Sequence, residues 1–143
     1  LVTMAKGLAG GIPIGAVLIS PAFKASYGLL GTTFGGNHIA CAAAIAVLEI
    51  IEEEGLMQHA DKLGAWFESQ FREDPAVACY RGRGLMIGLE VKDEYIGLRN
   101  RLLMDKHIFT GASGEKVIRL LPALNLPGEG ARQFAEAWKE LTR

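Results

Sequence analysis

Thr3-Met4-Ala5-Lys6-Gly7-Leu8-Ala9-Gly10-Gly11-Ile12-Pro13-Ile14-Gly15-Ala16 puts one amine at the end of an apolar stretch and follows it at once with a glycine-rich turn. That setting suits a lysine that condenses with a carbonyl. The chain before it can hold the amine in a weakly polar pocket, and glycines without a Cβ let backbone approach a bulky cofactor. Taken alone, a lysine among glycines is more often simply solvated. The weight therefore rests on what surrounds Lys6.

Working outward, the next distinctive stretch is Gly31-Thr32-Thr33-Phe34-Gly35-Gly36-Asn37. The hydroxyls of Thr32 and Thr33 either bond the local backbone of a tight turn or, with nearby N–H groups, suit a phosphate. Asn37 is a good helix N-cap, and the spacing predicts a helix from there to about Glu54, closed by Gly55. It is apolar nearly all round (Ile39, Ala42, Ala46, Val47, Ile50), which predicts burial on every side. Upstream, Leu1–Met4 reads as the tail of a strand and Ala16–Ile19 as a short strand stopped at Ser20-Pro21.

A second helix is expected over about 56–73, with Leu56, Ala60, Leu63, Phe67 and Phe71 forming one stripe. Asp74-Pro75 breaks it. From Val77 the pattern changes. Strands are expected at Val77–Tyr80 and Leu85–Val91, joined by Arg81-Gly82-Arg83-Gly84. A helix at about 94–105 with Leu98, Leu102 and Leu103 inward follows, then a strand at 107–110, a turn at 111–114, a strand at 117–121 and a last helix at 128–142. This order implies a small α+β domain whose sheet is covered on one face. The domain boundary is placed near residue 75.

Arg119 lies in Val117-Ile118-Arg119-Leu120-Leu121-Pro122, where strand alternation sets it on one face with Val117 and Leu121. An arginine among apolar side chains takes either a local acid or the carboxylate of a ligand, which offers a bidentate partner. Arg81 and Arg83 read as solvated arginines of a structural turn. His38, His59 and His107 lack metal-ligand spacing, so no metal is expected.

Half of the 143 residues are hydrophobic, 22% are charged and the net charge is -1. Nothing here points to nucleic acid or to a membrane surface. Cys41 and Cys79 stand far apart in apolar surroundings and read as buried free thiols of a reducing compartment. Among 18 glycines there is no dinucleotide or P-loop fingerprint.

Together these stretches resemble the class III, pyridoxal-phosphate-dependent aminotransferases, most closely the branch acting on acetylornithine and succinylornithine. The first stretch matches T-x-A-K-G-x-G-G-G-x-P-x-G-A except at Ala9, and His38 stands where the family usually has proline. The resemblance implies an α/β chain of the fold type I transferases. Residues 1–75 would be the end of the large cofactor-binding domain with its interdomain helices, and 76–143 a small C-terminal α+β domain. It implies that Lys6 holds the aldehyde of pyridoxal 5'-phosphate as a Schiff base and that Thr33 reaches the cofactor phosphate of the opposite subunit in a homodimer. Thr32 would contact substrate and Arg119 would grip the carboxylate of the amino or keto acid. The reaction implied moves the δ-amino group of N-acetylornithine or N-succinylornithine to 2-oxoglutarate, in the cytoplasm, for arginine biosynthesis. Lys106-His107-Ile108-Phe109-Thr110-Gly111 and Leu120-Leu121-Pro122-Ala123-Leu124-Asn125-Leu126 favour this branch over ornithine or 4-aminobutyrate aminotransferases. Those, an aminomutase and a non-catalytic α+β dimerisation module are the alternatives. The chain is expected to be the C-terminal part of such an enzyme and inactive alone. Its first third would be poorly ordered or held by association, because the phosphate cradle and the carboxylate facing the pyridine nitrogen should lie upstream.

Overall fold

A computed structural model of the chain describes residues 1–24, 26–28 and 31–143. They form two compact units, Leu1–Gly55 and Leu56–Arg143. In the first, strand β1 (Val2–Met4) pairs antiparallel with β2 (Ala16–Leu18), with Thr3 opposite Val17. A short 3-10 turn over Lys6–Ala9 follows β1, and Gly10 (φ 61°) and Gly11 (φ 112°) send the chain back toward β2. Both angles lie in the left-handed region, which only glycine enters freely.

Helix α1 (His38–Glu53) begins as the sequence predicts. The Asn37 side chain accepts a hydrogen bond from the Ala40 N–H at 3.0 Å, and Gly55 at φ 61° lies just past its end. The predicted burial is not seen. Only Ala40 and Ala44 are buried, while Ile39, Ile45, Leu48 and Ile50 are exposed. The cause is the size of the partner. The first unit sets only the Lys6–Ala9 turn and a two-stranded hairpin beside a 16-residue helix, too little surface to enclose it.

The second unit has its own core. Strands β3 (Val77–Arg83), β4 (Met86–Val91), β5 (Gly111–Ser113) and β6 (Val117–Leu120) form one antiparallel sheet in the order β3-β4-β6-β5. Helices α2 (Leu56–Phe71), α3 (Leu98–Lys106) and α4 (Gly128–Thr142) supply the rest of that core. The predicted α2 stripe is buried at every position, from Leu56 through Ala60, Leu63 and Phe67 to Phe71. Phe67, Phe71, Phe134 and Trp138 stack into an aromatic cluster with ring centroids 5.3–6.2 Å apart. Such tilted and edge-on pairs add to the burial energy of the rings.

Four details differ from the sequence reading. Arg81, Gly82 and Arg83 belong to β3, so that only Gly84-Leu85 turns the chain. The segment expected as strand 107–110 joins no ladder, and the residues expected as a turn, Gly111–Ser113, are β5. Hairpin closure decides this: Ser113 opposes Val117, which leaves the tight turn to Gly114, Glu115 and Lys116. Leu103 is 37% exposed rather than inward, since α3 turns only Leu98 and Leu102 to the core. Cys41 and Cys79 are free thiols but only half-buried.

Candidate functional site

Lys6 sits two residues past β1 at φ 55°, one of two non-glycine residues with positive φ among the described residues. A side chain there is strained, at a cost of order 1–3 kcal/mol, and such strain collects at functional positions. The weakly polar pocket expected around the amine is not formed by the first unit, where Lys6 is exposed. Its surroundings are open: a Cβ placed on Gly7 would meet no atom within 4 Å.

Thr32 and Thr33 are exposed and precede the turn that leads into α1. The turn is closed by the Asn37 side-chain amide, which donates to the Phe34 carbonyl at 3.0 Å, and Gly36 at φ 70° bends it. The Thr32 methyl lies so tightly against Gly35 that a Cβ there would overlap it. Gly35 thus sets where Thr32 points. No hydrogen bond of either hydroxyl occurs among the described residues, so both can serve a ligand.

Arg119, in the second unit, is flanked by glycine on both neighbouring strands, Gly88 of β4 and Gly111 of β5. Ile118 and Leu120 on either side of it are buried, while Arg119 is exposed on the opposite face. Among the described residues it has no ion-pair or side-chain hydrogen-bond partner. The local-acid reading of Arg119 therefore finds no support. Arg81, in the same cross-strand row, is instead paired with Glu90 at 2.6 Å. That bond and the neighbouring charge of Glu90 hold the Arg81 guanidinium above its usual pKa range.

Beside Arg119 opens a cavity of about 420 Å³, walled by Phe67, Leu120, Leu126 and Phe134 and also lined by Thr110. The backbone carbonyl of Thr110 accepts from Arg99 Nε at 3.1 Å. Its hydroxyl is buried and has no partner. The sequence reading quoted Thr110 and Gly111 only in a stretch that favours one branch, and it gave Gly88 no role. The Gly114 turn fixes the hairpin register, and that register puts Gly111 opposite Arg119. No group of His, Cys, Asp and Glu able to hold a metal ion occurs among the described residues, and no helix there is long and apolar enough to cross a membrane.

Comparison with known proteins gives the family. The chain belongs to the class III aminotransferases: the family model Aminotransferase class-III matches residues 1–141. This is a family of enzymes that depend on pyridoxal 5'-phosphate. The chain is 42% identical over 140 residues to acetylornithine aminotransferase 1 of Bordetella pertussis, covering 94% of this chain and 35% of that protein. It is 38% identical to acetylornithine aminotransferase of Streptomyces coelicolor, again over 35% of that protein. It thus spans about a third of the length of these relatives. Among solved structures it is similar to acetylornithine aminotransferase from Elizabethkingia anophelis (TM-score 0.81, 28% identity, 97% of this chain, 39% of that one). It is also similar to ornithine aminotransferase from Toxoplasma gondii (TM-score 0.79, 29% identity, 97% of this chain, 35% of that one). The α/β fold is that of these transferases.

Proposed function

We propose that these residues serve, as the C-terminal part of a longer enzyme, in moving the δ-amino group of N-acetylornithine or N-succinylornithine to 2-oxoglutarate. The observation that carries the reading is the 42% identity to an acetylornithine aminotransferase over 94% of the chain. The setting would be arginine biosynthesis in the cytoplasm, in a homodimer with a shared active site.

The donors present fit the cofactor: Lys6 offers a primary amine for an aldehyde and Thr33 a hydroxyl for a phosphate, both exposed. When bound, pyridoxal phosphate supplies an electron sink that stabilises negative charge on the substrate carbon next to nitrogen. Lys6 would hold the cofactor through its amine and, when that amine is free, would take a proton from the carbon that bears the transferred nitrogen. Thr33 positions the phosphate of the opposite subunit and Thr32 contacts substrate. Arg119 orients the carboxylate of the amino or keto acid through paired N–H donors. The 143 residues alone are inactive on this reading, because other parts of the site lie outside them. The resemblance sets the end of the large domain near residue 75, whereas the compact units of this chain divide after Gly55 and α2 shares the core of the second.

The test uses the full-length protein. Pyridoxal phosphate is added, the adduct is reduced with borohydride and the labelled peptide is found by mass spectrometry. A phosphopyridoxyl group on Lys6 is expected. Folded, cofactor-saturated protein with unlabelled Lys6 would overturn the proposal and favour the non-catalytic module, in which replacing Lys6 changes nothing. A second catalytic reading is an ornithine aminotransferase, supported by the fold similarity to the Toxoplasma gondii enzyme. Turnover of ornithine in preference to its N-acyl derivatives would select it.

A further inference from the structure

The segment from Leu121 to Pro127 joins β6 to α4 and begins two residues after Arg119. It puts Leu121, Pro122 and Leu126 into the lining of the cavity beside that arginine. Little of its own structure holds it there. It belongs to no helix or strand, and its one internal backbone hydrogen bond among the described residues runs from the Leu126 N–H to the Ala123 carbonyl. Leu121 and Leu124 are exposed. A stretch with so few contacts takes its place from whatever crosses to it from the packed elements.

Among the described residues, the only side-chain hydrogen bond that reaches this segment comes from His59, whose Nε2 lies 2.9 Å from the Leu126 carbonyl oxygen. A carbonyl can only accept, so Nε2 carries the hydrogen whether the ring is neutral or charged. Leu126 also packs against the core, but apolar contact has no direction, and the hydrogen bond supplies one. The support behind the imidazole is firm. His59 sits on α2 between the buried Leu56 and Leu63, and further along the same helix Phe67 is buried and walls the same cavity. His59 itself does not line that cavity, so it can act there only through the segment it holds.

We propose that His59 is a positioning residue: its bond to the Leu126 carbonyl fixes residues 121–127 as the wall beside Arg119. Its effect on turnover rests on the aminotransferase reading above.

The tests use the full-length protein. Hydrogen exchange read by mass spectrometry follows the segment without any catalysis. In His59→Phe, which keeps a flat ring but no donor, amides of 121–127 should exchange about tenfold faster, as one lost hydrogen bond allows, while peptides from β3 and β4 stay as they were. His59→Gln, whose amide N–H can reach the same carbonyl, should restore the protection. His59→Asn, polar but too short to reach, should behave as His59→Phe does and serves where the larger ring is not tolerated. In steady-state kinetics KM for glutamate should rise about tenfold in His59→Phe, with kcat nearly unchanged and His59→Gln close to the parent. A residue that only stabilised the fold would instead raise exchange throughout β3 and β4 and leave KM alone. Either of those results, or unchanged exchange in 121–127, overturns the proposal. Faster exchange confined to 121–127 in a protein with no aminotransferase activity would uphold the His59 tie and remove the catalytic reading instead.

Discussion

Gly111 stands opposite Arg119 on the β5–β6 ladder, so close that a Cβ on it would lie 3.2 Å from the Cβ and 3.4 Å from the Nε of Arg119. The guanidinium stem thus runs across a bare strand. In Gly111→Ala the stem must shift by a few tenths of an ångström and the guanidinium swings with it. We expect KM for glutamate in the full-length enzyme to rise several-fold. Stability should change by less than about 1 kcal/mol, the span of strand propensities. Steady-state kinetics beside a urea melt separates the two, and an unchanged KM would show that Gly111 does not direct Arg119.

Gly64 of α2 faces the β3–β4 turn, where a Cβ would overlap the backbone of Gly84. Neither backbone can yield without moving a helix or a hairpin. Gly64→Ala should cost about 1–3 kcal/mol or more, the range for overpacked cores. That lowers the melting midpoint by roughly 4–8 °C for each kcal/mol. Calorimetry of the variant checks it, and an unshifted midpoint would refute the close approach.

One carboxylate oxygen of Asp74 serves two partners. It accepts from the Ala76 N–H at 2.9 Å and from Trp138 Nε1 at 3.3 Å. Trp138 is fully buried, so Asp74→Ala strands its indole N–H. The expected loss is about 1–3 kcal/mol. Trp138→Phe, which removes the donor as well as the bond, should leave Asp74→Ala with a smaller effect in a double-mutant cycle.

Tyr80 links pH to stability. Burial raises its pKa above 10.0, helped by the Glu68 carboxylate and opposed by Arg72, whose guanidinium lies 5.4 Å from the ring centroid. The folded state therefore holds the phenolic proton more tightly than the unfolded one. The sign follows: no penalty exists below pH 10.0, and stability falls as pH rises above it. In Tyr80→Phe the alkaline part of that fall should shrink, as read by denaturant midpoints between pH 8 and 11.

Much of the fold is written in local chemistry. Asn37 and Gly55 bracket α1, the α2 stripe of leucines and phenylalanines marks its buried face, and the alternation at 117–120 turns Arg119 outward. What failed was anything set by partners at a distance. The all-round apolar surface of α1 says that it prefers cover, not that cover is present among these residues. Lys6 was expected in a pocket because apolar residues precede it, yet a three-residue strand beside it cannot enclose an amine. β5 was misplaced because Gly111, Ala112 and Ser113 have weak strand propensity, and only pairing with β6 makes them a strand. That the Thr110 hydroxyl is buried without a partner is likewise something no spacing rule reveals.

The alternation along β6 has a consequence for how this protein can vary. Ile118 and Leu120 fill the core, and Arg119 between them does not. Sliding β6 by one residue would drive a guanidinium into the aromatic cluster and two aliphatic chains into water. Selection that preserves only foldability would therefore also preserve the aim of Arg119, without any selection for its chemistry. Descendants that lost activity would be expected to keep the arginine's direction long after losing its use.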